Sequence, residues 1–289
     1  MYGVRRVCGL WHIPRSSVYD RRKRLALAVV PGKRGPKPKI SDEDLLERIK
    51  VIIDTCPFHG EGYRKIRMKL RFGADGEKKV NVSKDRLLRI MRENGLLSSA
   101  RSPWKPVRIH DGTITTEAPN VMWGTDMTST VLSNGRPAYV FAVIDHCAQD
   151  CIGIHVSESA KRFEAIEPVR EAVETTIGEC EAQIAAGIVL RHDCGSAYLS
   201  EFFQDEVAFL GLESSPAFIR QPEGNGVVER FFKTLKEQLL WLQVFDSIEN
   251  LRTAVVEFVK TYNACWMVAK HGYLTPSEVR AQLSYKAAA

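Results

Sequence analysis

The order of apolar segments in the second half of the chain constrains the fold more than any other feature of the sequence. From Asn120 onward, the hydrophobic pattern switches between the period of strands, two residues, and that of helices, roughly 3.6 residues. Three strands come first, and helices and strands then alternate, with predicted bounds 121–130, 137–145, 151–156, 160–177, 187–191, 198–210, 214–218 and 226 to beyond 240. This order, three hairpin-linked strands followed by helix, strand, helix, strand and helix, predicts an α/β domain.

Composition divides the chain into four regions. Residues 1–40 form a basic arm that ends in a linker rich in Pro, Gly and Lys. Residues 41–98 have the apolar spacing of a helical domain. Residues 99–119 are rich in Ser, Pro and Thr and predict a second linker. Residues 120–285 contain the α/β pattern and are expected to form the catalytic domain.

The two regions at the start of the chain contain several helix-start signals. A short helix, a turn near Gly9 and a second helix from about Pro14 have the outline of a helix-turn-helix. In the next region, Ser41 and Ser83 are expected to be N-cap residues of two helices. A third helix is predicted between them, running through Leu70. The sequence therefore predicts an all-α region ahead of the α/β domain.

The charge distribution indicates a polyanionic partner. The formal net charge is +6, and the first 39 residues contain eleven Lys or Arg but a single acid. In the helix that begins after Ser83, the side chains of Lys84, Arg86 and Arg89 lie opposite an apolar stripe. Such a face suits a DNA groove, but it also suits a helix that is simply solvated. Both interpretations stay open at this point.

Other composition features exclude some classes of protein. No apolar run approaches the roughly 18 residues that a membrane span needs. The first residues lack the apolar core of a secretory signal. Seven cysteines are scattered without a Cys-x-x-Cys pair, which favours neither a disulfide framework nor a thiolate zinc site. We therefore expect a cytoplasmic protein that has no membrane partner.

Three carboxylates stand at positions where metal-binding acids would be expected. Asp126 interrupts an apolar strand, where an acid is costly unless it is paired or bound to a metal. Asp193 lies just past the carboxyl end of the strand 187–191, and the carboxyl ends of strands are where α/β sheets place their sites. Glu229 lies in the first turn of the long helix, and 35 residues lie between it and Asp193. Acids from separate elements could hold two divalent cations for phosphoryl transfer.

The segments around these acids resemble those of retroviral-type integrases and insertion-sequence transposases. The resemblance is to the second-frame proteins of the insertion sequence three family, and it also covers residues 41–98. It lies in Trp123-Gly-Thr-Asp126-Met-Thr, His192-Asp193-Cys-Gly195-Ser-Ala-Tyr198 and Asn225-Gly226-Val-Val-Glu229-Arg230-Phe231-Phe232-Lys233-Thr-Leu235-Lys236. Three motifs in order, with this spacing, make a specific signal.

This resemblance implies a fold, an activity and partners. The fold would be a ribonuclease-H-like mixed five-stranded sheet flanked by helices. The activity would be cleavage at transposon ends and strand transfer by a 3′-hydroxyl, with Asp126, Asp193 and Glu229 as catalytic residues that bind two Mg²⁺ or Mn²⁺ ions. The partners would be terminal inverted repeats and target DNA, further copies of the chain, and a first-frame protein of the same element. Such a protein would act in a bacterial cytoplasm, at the nucleoid.

Basic residues beside the third acid are predicted to contact DNA. Lys233 and Lys236 share the helix face of Glu229. Arg230 is a candidate phosphate contact, and Asn225 is expected to cap the helix or to touch DNA. A solvated helix face is the alternative for the lysines.

One segment departs from the family pattern, since Cys265 to Lys270 replaces its common Arg-Pro-His stretch. Two other functions are compatible with the sequence: a ribonuclease-H-like nuclease that does not join strands, and a DNA-binding remnant or regulator without catalysis.

Overall fold

The computed structural model describes residues 3–27, 39–73, 76–97, 116–217 and 225–288. The chain forms two compact units, residues 1–45 and residues 46–289. Most of the predicted linker at 99–119 lies outside the described residues, as does most of the linker that ends the basic arm. Among the described residues, no helix is both long and apolar enough to cross a membrane.

The first unit contains the two short helices that the sequence predicts. Helix α1 spans Val4–Leu10 and α2 spans Arg15–Ala26, with Pro14 at the N-cap position. Helix α2 buries none of its residues, and its basic residues are therefore exposed. The predicted helix pair is confirmed, and its role in DNA binding stays a prediction.

Three helices follow, and their predicted caps are confirmed. Helix α3 spans Asp42–Asp54, α4 spans Tyr63–Phe72 and α5 spans Lys84–Glu93. The Ser41 Oγ accepts a hydrogen bond from the backbone N–H of Asp44, at 3.0 Å, and the Ser83 Oγ accepts one from Arg86. Each serine thus satisfies an N–H that has no partner inside its helix. The apolar face of α5 is buried, through Leu87, Ile90 and Met91.

The α/β part is built on one mixed sheet. Its strands are β1 (Met122–Val131), β2 (Pro137–Asp145), β3 (Cys151–Ser157), β4 (Val189–His192) and β5 (Glu213–Pro216). Their spatial order is β3-β2-β1-β4-β5, so that β1 is central. The first three strands are antiparallel, whereas β4 runs parallel to β1 and β5 parallel to β4. The predicted ribonuclease-H-like, five-stranded mixed sheet is confirmed.

Helices cover both faces of the sheet, and each covered face has its own apolar core. Helices α6 (Arg162–Thr176) and α7 (Glu201–Phe209) pack on one face, with Phe141 and Val143 of β2 beneath them. Helices α8 (Gly226–Leu235) and α9 (Ile248–Cys265) pack on the other. Since neighbouring residues of a strand point to opposite faces, Val140, Ala142 and Ile144 belong to this second core. Helix α10 spans Pro276–Ala288.

Two predicted helices have different ends in the structure. The helix expected over 198–210 begins at Glu201, because the Ser200 side chain caps it by accepting from the Phe203 N–H. The helix expected to run past Leu240 stops being α-helical at Leu235, and a π-helical turn covers Lys236–Leu240. Gln238 in this turn accepts from the His59 N–H at 2.8 Å and donates to the His59 carbonyl at 3.1 Å. A distant backbone segment is therefore bonded to this turn.

The segment that departs from the family pattern packs against the helical region. The Trp266 ring lies edge-on to Phe58, with their centroids 4.9 Å apart, and it stacks on Tyr262. The Lys65 Nζ lies 3.0 Å from the centroid of the Trp266 ring, and burial lowers the pKa of Lys65 to about 8. A cation–π contact that is shielded from water in this way is stronger than an exposed one. Trp266 therefore joins α4 to the end of α9.

Candidate active site

The sheet register brings Asp126 and Asp193 to neighbouring positions. Strands β1 and β4 run parallel, and the last pair of their ladder is Gly124 with Arg191. Asp126 and Asp193 each lie two residues further along, at the carboxyl side of that pair. Because side chains alternate with a period of two, both aspartates leave the same face of the sheet as Gly124 and Arg191. Parallel neighbours in a sheet lie about 4.8 Å apart, so the two residues are adjacent.

Glu229 lies on α8, the helix that covers this face of the sheet. Asp126 pairs across β1 and β2 with Ala142, which belongs to the core under α8. Glu229 lies in the first turn of α8. Asp193 and Glu229 are exposed, whereas Asp126 is half-buried. The three carboxylates thus come from a central strand, the end of its neighbour and the covering helix.

The charges of the other two acids act on Asp126. Burial, together with the negative charges of Asp193 and Glu229, raises the pKa of Asp126 to about 6. The backbone N–H of Met127 donates to Asp126 Oδ1 at 2.8 Å and opposes this shift, as does the charge of Lys236. Burial with like charges nearby disfavours the ionised carboxylate. Such a group is stabilised when a cation binds beside it.

Asp193 is held by a tight turn. Its Oδ1 accepts from the N–H of Gly195 at 2.9 Å, and a Cβ at position 195 would lie 2.9 Å from the same oxygen. A side chain at position 195 would therefore crowd the turn behind Asp193. The neighbouring His192 is fully buried, and its ring bonds to the Asp193 carbonyl and to Ser214 while stacking on Tyr198. His192 therefore supports the backbone at Asp193 and has no ring nitrogen free for a metal.

The donor set suits a hard divalent cation. All three side chains offer carboxylate oxygens, which are the ligands that magnesium and manganese prefer. Within the described residues, no group of three or more His, Cys, Asp or Glu side chains is arranged closely enough to hold a metal ion. The structure thus brings the three acids within electrostatic reach of one another without forming a closed ligand cage.

The predicted basic residues on α8 and the turn after it differ in their surroundings. Lys236 is half-buried, and its charge lowers the pKa of Asp126. Lys233 is exposed and lies 4.0 Å from Glu237, and Arg230 is exposed. Lys236 is therefore the cation on this helical segment that is electrostatically coupled to the site.

Asn225 does not have the expected capping role. It precedes α8, but its side chain accepts no hydrogen bond from that helix. It is buried, and its Nδ2 donates to the carbonyl of Thr125 in β1, at 3.2 Å. Asn225 occupies the N-cap position of α8, but its side chain makes no capping hydrogen bond, because its amide is bonded to β1. A contact of Asn225 with DNA stays a prediction.

Two residues near Asn225 were not singled out from the sequence. A Cβ at Gly124, two residues before Asp126, would meet Asn225 Oδ1 and the Nε2 of His146, the residue after β2. A glycine inside a strand is the one sequence signal that pointed here, since it often marks a close approach of another group.

The predicted DNA-contact residues of the helical region lie on a separate element. Lys84, Arg86 and Arg89 belong to α5, and Lys84 is exposed. Arg89 pairs with Glu93 one turn later, at 3.0 Å. A role in DNA binding for this face stays a prediction.

Comparison with protein families gives two matches in separate parts of the chain. A model described as an integrase core domain matches residues 211–276, which include Glu229. A model described as an HTH-like domain matches residues 40–104. These ranges cover the helix of the third acid and the helical region that precedes the sheet.

Curated relatives include transposases of insertion elements from Escherichia coli. Transposase InsD for insertion element IS2D is 28% identical over 241 residues, which cover 82% of this chain and 78% of that protein. Transposase InsD for insertion element IS2-9 is also 28% identical, and the match covers 76% of it.

Similar solved structures include integrases. The simian T-cell lymphotropic virus intasome in complex with PP2A regulatory subunit B56 gamma has a TM-score of 0.47 and 17% identity, covering 81% of this chain and 74% of that chain. The catalytic core domain of BIV integrase has a TM-score of 0.44 and 15% identity, covering 59% of this chain and 99% of that chain.

Proposed function

We propose that this chain, a homologue of the insertion-element transposases, cuts DNA at the ends of such an element and joins the freed 3′-hydroxyl to a second DNA. The observation that carries the proposal is that the charges of Asp193 and Glu229 both act on the half-buried Asp126. Homology to a transposase and an integrase core domain support DNA transposition as the process in which this enzyme acts.

The three carboxylates are the proposed ligands of two divalent cations. Bound Mg²⁺ or Mn²⁺ would supply the Lewis acidity that activates an attacking hydroxyl and stabilises the leaving oxygen. The raised pKa of Asp126 and the all-oxygen donor set fit such cations. The carboxylates of Asp193 and Glu229 are exposed, so that a DNA phosphate can reach the same site.

The residues around the triad hold the reacting DNA. Lys236 is placed to pair with a phosphate beside the carboxylates, and Lys233 and Arg230 extend the basic surface along α8. Phosphoryl transfer of this kind needs positioning and charge stabilisation, and no covalent bond to the protein forms. The chain's part in the reaction is therefore to bind and orient the phosphodiester and the attacking hydroxyl.

The remaining partners follow from the same proposal. The basic face of α5, with Lys84, Arg86 and Arg89, would contact the terminal inverted repeats. Two DNA ends must be brought together for transposition, so we propose that copies of the chain assemble on DNA. A first-frame protein of the same element is a further proposed partner. The site of action is the nucleoid in a bacterial cytoplasm.

A cleavage and joining assay separates this function from its alternatives. Purified full-length chain is incubated with labelled terminal-repeat DNA, a target plasmid and Mg²⁺, with and without the first-frame protein. We expect 3′-end cleavage and labelled plasmid, and loss of both when EDTA is added. Cleavage without labelled plasmid would indicate a nuclease. Binding without cleavage in either condition would indicate a non-catalytic DNA-binding protein.

A further inference from the structure

The turn between α3 and α4 takes part in the apolar core under α8 and α9. Phe58 of this turn is 5% exposed and belongs to that core. Its ring lies edge-on to Phe258 of α9, with the centroids 6.3 Å apart, and edge-on to Trp266 as well. Buried aromatic rings contribute a large apolar contact area. The helical region is therefore attached to the α/β part by a side chain of the core.

Gln238 binds the backbone of the residue that follows Phe58. Its Oε1 accepts the His59 N–H at 2.8 Å, and its Nε2 donates to the His59 carbonyl at 3.1 Å. A glutamine amide has an acceptor and two donors, so it can match both backbone groups of one residue. Two bonds to the same residue fix its orientation as well as its distance. The turn is therefore held by Phe58 inside the core and by Gln238 at the His59 backbone.

Gln238 lies close along the chain to the cation of the carboxylate site. It belongs to the π-helical turn Lys236–Leu240, which continues α8, the helix of Glu229. Lys236, two residues before Gln238, acts electrostatically on Asp126. Single π-helical turns are rare and occur frequently at functional sites. The turn thus joins the His59 backbone to the helix that contributes an acid and a cation to the site.

Helices α4 and α5 continue this attachment as far as the basic face. Helix α4 packs against α5, and the Arg67 Nε of α4 donates to the Val82 carbonyl, just before α5, at 2.7 Å. The Lys65 Nζ of α4 lies 3.0 Å from the centroid of the Trp266 ring. A chain of packed side chains and hydrogen bonds therefore runs from α5 to the helix of Glu229, and such chains can carry coupling between sites.

We propose that Gln238 and Phe58 make the helical region, from this turn through α5, a rigid extension of the α/β part. DNA on the basic face of α5 is then held in a fixed position relative to the carboxylate site. Gln238 is a positioning residue, since it acts through the His59 backbone and not on the reacting phosphate. A displacement of about 1 Å, caused far from the chemistry, can cost roughly 100-fold in rate. This inference rests on the proposed function, because it assumes that α5 and the carboxylates act on the same DNA.

Amide NMR of the full-length wild type tests the rigid attachment without a substitution. The rotational correlation times of α5 and of the sheet, from ¹⁵N relaxation, should be equal. The His59 N–H should exchange slowly with water, although the residue is exposed, because it is bonded to Gln238. A shorter correlation time for α5, or a rapidly exchanging His59 N–H, would overturn the proposal. Neither measurement depends on whether the protein cuts DNA.

Cleavage kinetics test the consequence for the reaction. At saturating terminal-repeat DNA, Gln238→Ala should lower the turnover by roughly 10- to 100-fold, because the bound DNA is less well positioned. The half-saturating DNA concentration and the Mn²⁺ affinity should each stay within about twofold of wild type, since the basic face of α5 and the three acids are unchanged. Gln243→Ala is the matched control, at an exposed glutamine shortly after the π-helical turn, and it should leave the turnover unchanged.

The outcomes separate this inference from the proposed function. Wild-type turnover in Gln238→Ala would contradict the positioning role. A loss of Mn²⁺ affinity as large as the loss of turnover would also contradict it, because the effect would then lie in the metal site. Equal correlation times and a protected His59 N–H, in a wild type that does not cut DNA, would contradict the proposed function alone. If Gln238→Ala does not fold, the NMR results on the wild type decide.

Discussion

Two groups of carboxylates lie at or beside strands β1 and β2, and they differ in how their charges are compensated. Asp145 is fully buried at the end of β2, and Asp150 is almost as deeply buried in the turn before β3. Arg280 of α10 bonds to both oxygens of Asp150 and lies 3.5 Å from Asp145. Backbone N–H groups satisfy the rest of Asp145, from Asn120, Cys147 and Ala148.

Asp126 has a smaller set of partners among the residues that the structure describes. One backbone N–H donates to it, and the charges with the largest effect on its pKa are those of two further carboxylates. A buried carboxylate that is fully hydrogen-bonded and ion-paired stabilises a fold only when its partners stay in place. A carboxylate that lies beside other carboxylates is repelled by their charges, and a bound cation would reduce this repulsion. The difference distinguishes a structural carboxylate group from a proposed catalytic one.

The largest effect is expected on DNA cleavage, when one acid of the proposed catalytic group (Asp126, Asp193 and Glu229) is replaced. Asp193→Asn should lower DNA cleavage by roughly 1,000-fold or more, the scale on which loss of a single catalytic group acts. Asp193 is exposed, so folding and DNA affinity should change little. Gel-based cleavage and fluorescence anisotropy on the same DNA measure the two quantities. Equal loss of folding, binding and cleavage would make Asp193 a structural residue.

The second largest effect is expected on stability, when the structural group (Asp145, Asp150 and Arg280) loses its cation. Arg280→Met removes the cation but keeps an apolar stem, and it should lower the free energy of unfolding by about 3–5 kcal/mol, because it leaves buried carboxylates unpaired. Urea unfolding measures this value. Arg136→Met, at an exposed arginine before β2, is the control and should change stability little. A change below about 0.5 kcal/mol in Arg280→Met would show that the ion pair is not structural.

In the proposed catalytic group, removal of a charge should raise the stability of the protein, whereas loss of the Arg280 charge should lower it. The pKa of Asp126 is raised from 3.8 to about 6, so between these pH values the native state binds a proton that the unfolded state has lost. Without metal, stability should therefore fall as pH rises from about 4 to about 6 and remain lower above it. Asp126→Asn should raise metal-free stability at pH 7 by about 1–3 kcal/mol.

Thermal unfolding across this pH range checks the sign. The wild type should gain stability when Mn²⁺ is added at pH 7, and Asp126→Asn should gain much less. The matched substitution Asp145→Asn should be destabilising, since Asp145 accepts three backbone hydrogen bonds and faces Arg280. If both asparagine variants were destabilised alike, the contrast between the two groups would be lost.

The smallest effect concerns the cations beside the proposed catalytic group. Lys236→Ala should weaken binding to terminal-repeat DNA and reduce the slope of log affinity against log salt by about 0.9, the contribution of one phosphate contact. Lys233→Ala should lower DNA affinity as well, whereas Lys236→Ala should also raise the pKa of Asp126, because the charge of Lys236 lowers that pKa. Salt titrations of both variants measure the slopes. Unchanged slopes would favour the solvated-face interpretation of these lysines.

The sequence was sufficient where local spacing decides the structure. The number and order of the strands, and of the helices up to α8, follow from apolar periodicity, and the caps at Ser41 and Ser83 follow from the residues beside them. The strand order puts Asp193 just beyond the end of β4, which pairs with β1 up to Gly124, two residues before Asp126. The expected start of α7 was wrong because of a local cap at Ser200, whereas Asn225 and the turn after α8 have partners that are distant along the chain.

The sequence by itself determined the five-stranded sheet, the helices up to α8 and the choice of Asp126, Asp193 and Glu229 as the candidate acids. Only the tertiary structure decided that Asn225 bonds to β1 instead of capping α8, that Gln238 holds the His59 backbone from a π-helical turn, and that Arg280 neutralises Asp150. The partners in these contacts are 100, 179 and 130 residues apart. Residue spacing determines which side chains share a face of a helix or strand. It does not determine which side chains meet across such distances, because these contacts depend on tertiary packing.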